Sequence, residues 1–362
     1  MDLAADMLLA QWVERANEID AFDISPRFQN LVDRLPIVRR TTLAKNADRI
    51  WNRFRALPRH LDKIEDQFHA FHIVDHSYAN LVDILPRERT GVYCHDLDTF
   101  RCLLHPQDEP RPWWFRRMAR QIMTGLSHAA IVFHNTRTTA KELLKHGLTR
   151  PDRLRYAPLG VAPEFLAVDI SANSESAWRE IGDKPYLLHV GACIPRKRID
   201  VLLNVASQLR RSFPDLLLVK VGEPWTSEQE RRIVELGVGS SIRHLGKLSR
   251  EALAGVYRHA AAVLVTSEME GFGLPVIEAL ACGSAVVASE LDSLHEAGGN
   301  VANFAPIGNI NAWTEILHRV LTQPSTPEER HRRREWSTQF SWQNHARIIA
   351  DSYHELLRDA AA

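Results

Sequence analysis

The sequence predicts an α/β protein of two domains, the C-terminal one a doubly wound parallel sheet covered by helices on both faces. Three observations carry that expectation. Short apolar runs alternate with amphipathic stretches through the C-terminal half, as in sheets whose strands are buried on both sides. Two of those runs, Tyr186–Val190 and Ala261–Val265, end in glycine-containing loops, and doubly wound sheets hold ligands at such strand ends. The 362 residues suffice for two domains of ordinary size.

The elements follow in order. Met1-Asp2-Leu3-Ala4-Ala5-Asp6-Met7-Leu8-Leu9-Ala10-Gln11-Trp12 reads as a helix, so the first domain lacks an opening strand and the glycine-rich loop after it; such a strand would be central, and its loss would leave backbone groups unpaired. Extended pieces come at Phe71–Asp75, Gly91–Cys94, Ala130–Phe133 and Arg153–Ala157. The polar stretch Asp169–Ser176 reads as a loop, which places a domain boundary near residue 165. Beyond it the pattern is strand Tyr186–Val190, helix to about Arg211, strand Leu216–Val221, helix through Glu235, strand Ile242–Leu245, helix from Arg250, strand Ala261–Val265, helix from Pro275 and strand Ala285–Ala288. The expected domains are residues 1–165, 166–340 and a terminal helical segment 341–362.

Composition narrows the function classes. Lys plus Arg and Asp plus Glu each number 45, so no global field favours nucleic acid. Cys94, Cys102, Cys193 and Cys282 form no C-x-x-C, which points to reduced thiols rather than a disulfide frame or a zinc site; no metal is expected. No apolar run approaches bilayer length and no signal pattern opens the chain, so the expectation is a cytoplasmic protein. Arg111-Pro-Trp-Trp-Phe-Arg-Arg-Met-Ala-Arg120 mixes aromatics and arginines as interfacial helices do, which makes it a candidate peripheral contact at the inner membrane face. The same stretch also reads, and reads better, as a helix that buries Trp114 and Phe115 while its arginines stay wet.

The chemistry concentrates in residues 267–288. The apolar strand ends at a loop containing Gly271 and Gly273, and Pro275 then sits where a first helical turn tolerates a missing N–H. Strand, loop and helix in that order aim backbone N–H groups and a positive dipole end at an anion, which suits a diphosphate. Glu270 stays in the loop while Glu278 falls about one turn into the helix, where side chains lean back toward its start. Carboxylates repel phosphate, so both are read as acceptors for sugar hydroxyls. Upstream, Gly191–Pro195 forms a loop after Tyr186–Val190, and Arg196 and Lys197 stand where the next helix begins, able to neutralise a diphosphate. In the N-terminal half, Thr90-Gly-Val-Tyr-Cys-His-Asp ends in His95-Asp96, a pair in which a neutral imidazole can bond a hydroxyl and the carboxylate can orient it; His76 is a weaker candidate. Asp96-Leu97-Asp98 spells a D-x-D, but the diphosphate devices lie in the other half of the chain, which argues against a cation there.

Glu270-Gly-Phe-Gly-Leu-Pro-Val-Ile-Glu278 followed by Ala-Leu-Ala-Cys-Gly closely resembles the E-x(7)-E signature of the retaining GT-B glycosyltransferases of family four, the glycosyl transferases group 1. Gly191 to Lys197 resembles that family's Gly-x-x-x-x-Arg-Lys segment, and His95-Asp96 its pair at the end of an N-domain strand. The resemblance covers most of residues 71–357. It implies two Rossmann-like domains facing across a cleft, and transfer of a hexose from a nucleoside diphosphate sugar to a glycan, glycolipid or small-molecule acceptor, as in polysaccharide biosynthesis, with retention, no metal and no cofactor. It implies that Gly191, Arg196 and Lys197 hold the diphosphate and that Gly246-Lys247-Leu248 meets the base. Glu278 would take the ribose; Glu270 with the backbone of Phe272, Gly273 and Leu274 would position the hexose, and His95 would face it with Asp96 beside. Leu159–Phe165 resembles the interdomain segment, and Phe340-Ser341-Trp342 with its following helix the segment that returns to the first domain. A nucleotide-sugar-binding partner without turnover, or an epimerase of the same fold, is the alternative reading.

Overall fold

The structure, a computed structural model, describes residues 2–14, 20–24, 29–31, 41–167 and 178–361, so the loop expected at 169–176 lies outside the described residues. The chain divides into two compact units: Met1–Pro158 together with Gln343–Ala362, and Leu159–Trp342. β-Branched and leucine-rich runs make the strands, and amphipathic segments between them return the chain so that neighbouring strands are parallel.

In the first unit β1 (Phe71–Ile73), β2 (Thr90–Cys94), β3 (Ile131–His134) and β4 (Leu154–Tyr156) form a parallel sheet in the order β1-β2-β3-β4. Asp2–Glu14 is helical as expected, and among the described residues no strand precedes β1. The sheet therefore runs one way from β1, because the described residues that come before it in the chain contribute helices. Helical side chains close over β1: the Trp12 indole stands edge-on to His72 and donates to the Ala346 carbonyl at 3.3 Å, and the Tyr353 hydroxyl donates to the Phe71 carbonyl at 2.8 Å. Ala346 and Tyr353 lie on the terminal helix Trp342–Ala361, which belongs to this unit from Gln343 onward.

The helix Trp113–His128 buries Ala119, Ile122, Gly125 and Leu126. That register corrects the expectation for its first turn. Trp113 is 77% exposed and Trp114 49%, and they stand outward with Arg117 and Arg120, while Phe115 is half-buried beneath the Arg111 guanidinium. Among the described residues, no helix is long and apolar enough to cross a membrane.

In the second unit β5 (Tyr186–Val190), β6 (Leu217–Val221), β7 (Ile242–Leu245), β8 (Ala262–Val265), β9 (Val286–Ser289) and β10 (Asn303–Ala305) form a parallel sheet in the order β10-β9-β8-β5-β6-β7. The order reverses between β5 and β8, and a doubly wound sheet opens its ligand crevice at that switch, beyond the strands' carboxyl ends. Leu187, Leu218, Leu264, Val287 and Trp313 lie at the centre of its core. Leu159–Phe165, expected to close the first domain, belongs to this unit instead: Val161 N–H donates to the Phe340 carbonyl at 2.9 Å, and the Phe165 ring stands edge-on to Tyr257. All four cysteines are free and buried.

Candidate functional site

Two loops meet at the switch point. After β5 the chain makes a short turn, Pro195–Lys197, and Arg198 takes a left-handed φ of 47° before the helix Ile199–Leu209 begins. Arg196 and Lys197 thus stand on a separate turn, short of that helix. After β8, the loop carrying Thr266–Glu270 lies against this turn: the Thr266 hydroxyl donates to the Lys197 carbonyl at 2.8 Å, and Glu268 N–H to the Arg196 carbonyl at 2.9 Å.

The side chains converge on Glu270. Its Oε1 accepts from the Lys197 ammonium and, at 2.7 Å, from the Ser267 hydroxyl; Oε2 lies 3.3 Å from Arg196 Nη1, which also donates to the Met269 carbonyl at 3.0 Å. The Ser293 hydroxyl pins the Glu270 carbonyl at 2.7 Å. With only 8% of its side chain exposed, Glu270 would be pushed up by burial, but Lys197, Ser267 and Arg196 outweigh that and hold it below the ordinary carboxyl value. It is an ionised carboxylate held between two cations. The expectation gave Glu270 to sugar hydroxyls; the structure gives it to the two cations, the strongest donors within reach.

Gly273 follows with a φ of 93°, a left-handed value open to glycine, and lets the backbone turn into the helix Leu274–Ala281 with Pro275 in its first turn. Phe272 is buried edge-on against Phe340, so its ring packs inward and only its backbone is available to a ligand. Leu248 is partly buried on the segment between β7 and the helix Arg250–His259.

Glu278 has different neighbours from Glu270. It accepts from the Tyr257 hydroxyl at 3.0 Å, and burial, opposed by that bond and by Arg250, pushes it up to about 7. The folded carboxyl therefore keeps its proton where the unfolded one, near 4.5, has lost it, so stability is greatest below the unfolded value and falls as pH rises toward 7. Glu278→Gln is expected to flatten that slope, its gain on wild type growing from near zero at about pH 4.5 to about 3 kcal/mol by about pH 8, read by chemical denaturation without nucleotide.

In the first unit His95 and Asp96 follow β2 and join a cluster the sequence only partly indicated. His95 Nε2 lies 2.9 Å from the Val74 carbonyl, its N–H donates to His76 Nδ1 at 3.4 Å, and Asn135 holds its carbonyl at 3.0 Å. His76 is buried, with Asp96 Oδ1 at 3.8 Å and Asp75 Oδ1 at 3.6 Å. Burial first, then the neighbouring His76, lowers the His95 pKa, so its ring is neutral at physiological pH. Among the described residues no group of His, Cys, Asp and Glu side chains is arranged to hold a metal ion.

Ser267 and His189 lay within runs already singled out, yet neither type signals a role by itself. Ser293 and Tyr257 carried no signal, since only the fold brings them to Glu270 and Glu278.

Two parallel α/β units, the second with cations and a carboxylate gathered at its switch point, define a GT-B fold. A solved sucrose-phosphate synthase from Thermosynechococcus elongatus superposes with a TM-score of 0.69 at 21% identity, over 96% of this chain and 87% of that one. Anabaena HepE, solved in complex with UDP-glucose, gives 0.69 at 17% identity, over 84% of this chain and 83% of that one. Residues 172–339 match the sequence model of the glycosyl transferases group 1. The serotype-specific mannosyltransferase WbdA of Escherichia coli is 27% identical over 282 residues, 75% of this chain and 34% of that protein, so the chain spans about a third of that relative's length.

Proposed function

We propose that the chain transfers a hexose from a nucleoside diphosphate sugar to an acceptor hydroxyl, with retention at the anomeric carbon and without a metal ion. The observation that carries this reading is the Glu270 carboxylate clasped by Arg196 and Lys197 at the switch point. An arriving diphosphate offers those cations a stronger anion; as they turn to it, Glu270 is released to accept from hexose hydroxyls. Arg196 and Lys197 then stabilise charge developing on the leaving diphosphate. Glu278 accepts from the ribose once its Tyr257 bond is shared, and the turn at Leu248 meets the base through backbone groups. The leaving phosphate takes the acceptor's proton, so no side-chain base is assigned, and His95 with Asp96 orients hydroxyls from the first unit. A relative named as a mannosyltransferase and a structural neighbour holding UDP-glucose support a hexose donor. Incubation with UDP-, GDP- and ADP-sugars and candidate acceptors should release nucleoside diphosphate from one donor class, with an NMR-assigned product of unchanged anomeric configuration. Release from none, or an inverted product, refutes the reading.

We propose in addition that the exposed stripe of Trp113, Trp114, Arg117 and Arg120 makes a peripheral contact with an anionic membrane surface at the cytoplasmic face. Vesicles containing anionic lipid are expected to sediment the protein, and Arg117→Glu with Arg120→Glu to weaken that binding about tenfold. Equal binding to neutral vesicles contradicts it.

A further inference from the structure

We propose that His189 takes up a proton when a nucleoside diphosphate sugar settles against the Gly191 loop, so that donor affinity depends on pH; the proposal rests on the donor-site reading above. His189 is on β5 and 1% exposed. Its Nδ1 lies 3.1 Å from the Leu264 carbonyl on β8, which can only accept, so that nitrogen carries the proton. Nε2 is then a buried lone pair, and it has no partner. A buried polar atom left so is costly, and sites of binding are where such atoms persist.

The surroundings indicate what would satisfy it. A side chain built on Gly191 would meet His189 Nε2 at 3.5 Å and Lys197 Cε at 3.8 Å, so the unpartnered nitrogen borders the same space as the stem of the phosphate-binding lysine. The charged groups facing the ring come from three elements: Lys197 from the loop after β5, Lys220 from β6, where it is the register partner of His189, and Glu270 from the loop after β8. Lys220 is fully buried, with its ammonium on the Glu223 carbonyl and 4.9 Å from the Trp225 ring centroid. Burial, and then the two lysines, lowers His189 to about 4, against the Leu264 bond and Glu270. A diphosphate drawn in by Arg196 and Lys197 reverses the sign of the nearby field, and opposite charge at close range raises a pKa by about 1–3 units. The protonated ring keeps its bond to Leu264 and turns Nε2 from an orphaned acceptor into a donor.

Calorimetry with UDP-, GDP- and ADP-sugars, whose diphosphates do not titrate near neutrality, reads this directly. At about pH 6, in two buffers of different ionisation heat, wild type is expected to bind its donor with net proton uptake, and affinity to fall with rising pH by up to about tenfold per unit from about pH 4 to at most about pH 7, levelling off above. His189→Gln should bind without uptake and with a flat profile. Binding without uptake in wild type, or equal uptake in His189→Gln, overturns the inference while leaving the donor site standing. No heat from any sugar nucleotide overturns the donor-site reading and the inference with it. Should His189→Gln fail to fold, nitrogen-15 spectra of the wild-type imidazole serve instead: protonation of Nε2 on adding donor supports the proposal, and an unchanged neutral ring refutes it.

Discussion

Alanine at Lys197 is expected to lower affinity for the sugar nucleotide about 100-fold, roughly 3 kcal/mol, without unfolding the second unit. Lys197 loses two partners in that variant, the Glu270 carboxylate and the incoming diphosphate. Removing one member of a buried ion pair ordinarily costs about 3–5 kcal/mol of stability, because the other charge is left uncompensated. Here Arg196 and Ser267 still hold Glu270, so the stability loss should fall short of that range. Arg196→Ala should cost less affinity, since its guanidinium is more exposed than the ammonium of Lys197. Calorimetric affinities within threefold of wild type for both variants would remove these residues from the donor site.

Alanine at Gly125 should destabilise the first unit by about 3 kcal/mol. The helix Trp113–His128 crosses the segment His76–Asp83 at this residue, and a Cβ there would lie 2.0 Å from the Ala79 carbonyl oxygen and 2.6 Å from its carbon. Backbone cannot rotate aside as a side chain can, so the segment must shift. His76 begins that segment and accepts from the His95 N–H, so the displacement reaches His95 and Asp96. Gly246→Ala is the control, because nothing lies within 4 Å of its added Cβ and its φ is ordinary; it should stay within about 0.5 kcal/mol of wild type. Equal melting of the two variants would show that the helix crossing tolerates a methyl group.

The second unit was readable in the sequence because each of its strands is a short apolar run ending at a polar turn. Ala262–Val265 and Tyr186–Val190 needed no tertiary information to be recognised, and the residues after them, Arg196, Lys197 and Glu270, were legible for the same reason. That Glu270 joins the two cations was not readable, since the pairing depends on β5 and β8 being neighbours in the sheet. Glu278 was assigned by spacing, but its proton affinity is set by burial, opposed by the bond from Tyr257, twenty-one residues away on another helix. The first unit was harder. β1 and β4 span three residues each, too few to show alternation, and the face of β1 is covered by Trp12 and Tyr353 from opposite ends of the chain. Trp114 misled for a simpler reason: an aromatic near a helix start reads as core until the buried register, here Ala119, Ile122 and Leu126, is known.

A crystal structure with the sugar nucleotide selected by the donor screen tests the central claim most directly. The expected result is a diphosphate bonded to Arg196 and Lys197 with the Glu270 carboxylate turned onto hexose hydroxyls. A diphosphate bound elsewhere, with Glu270 still held by both cations, would contradict it.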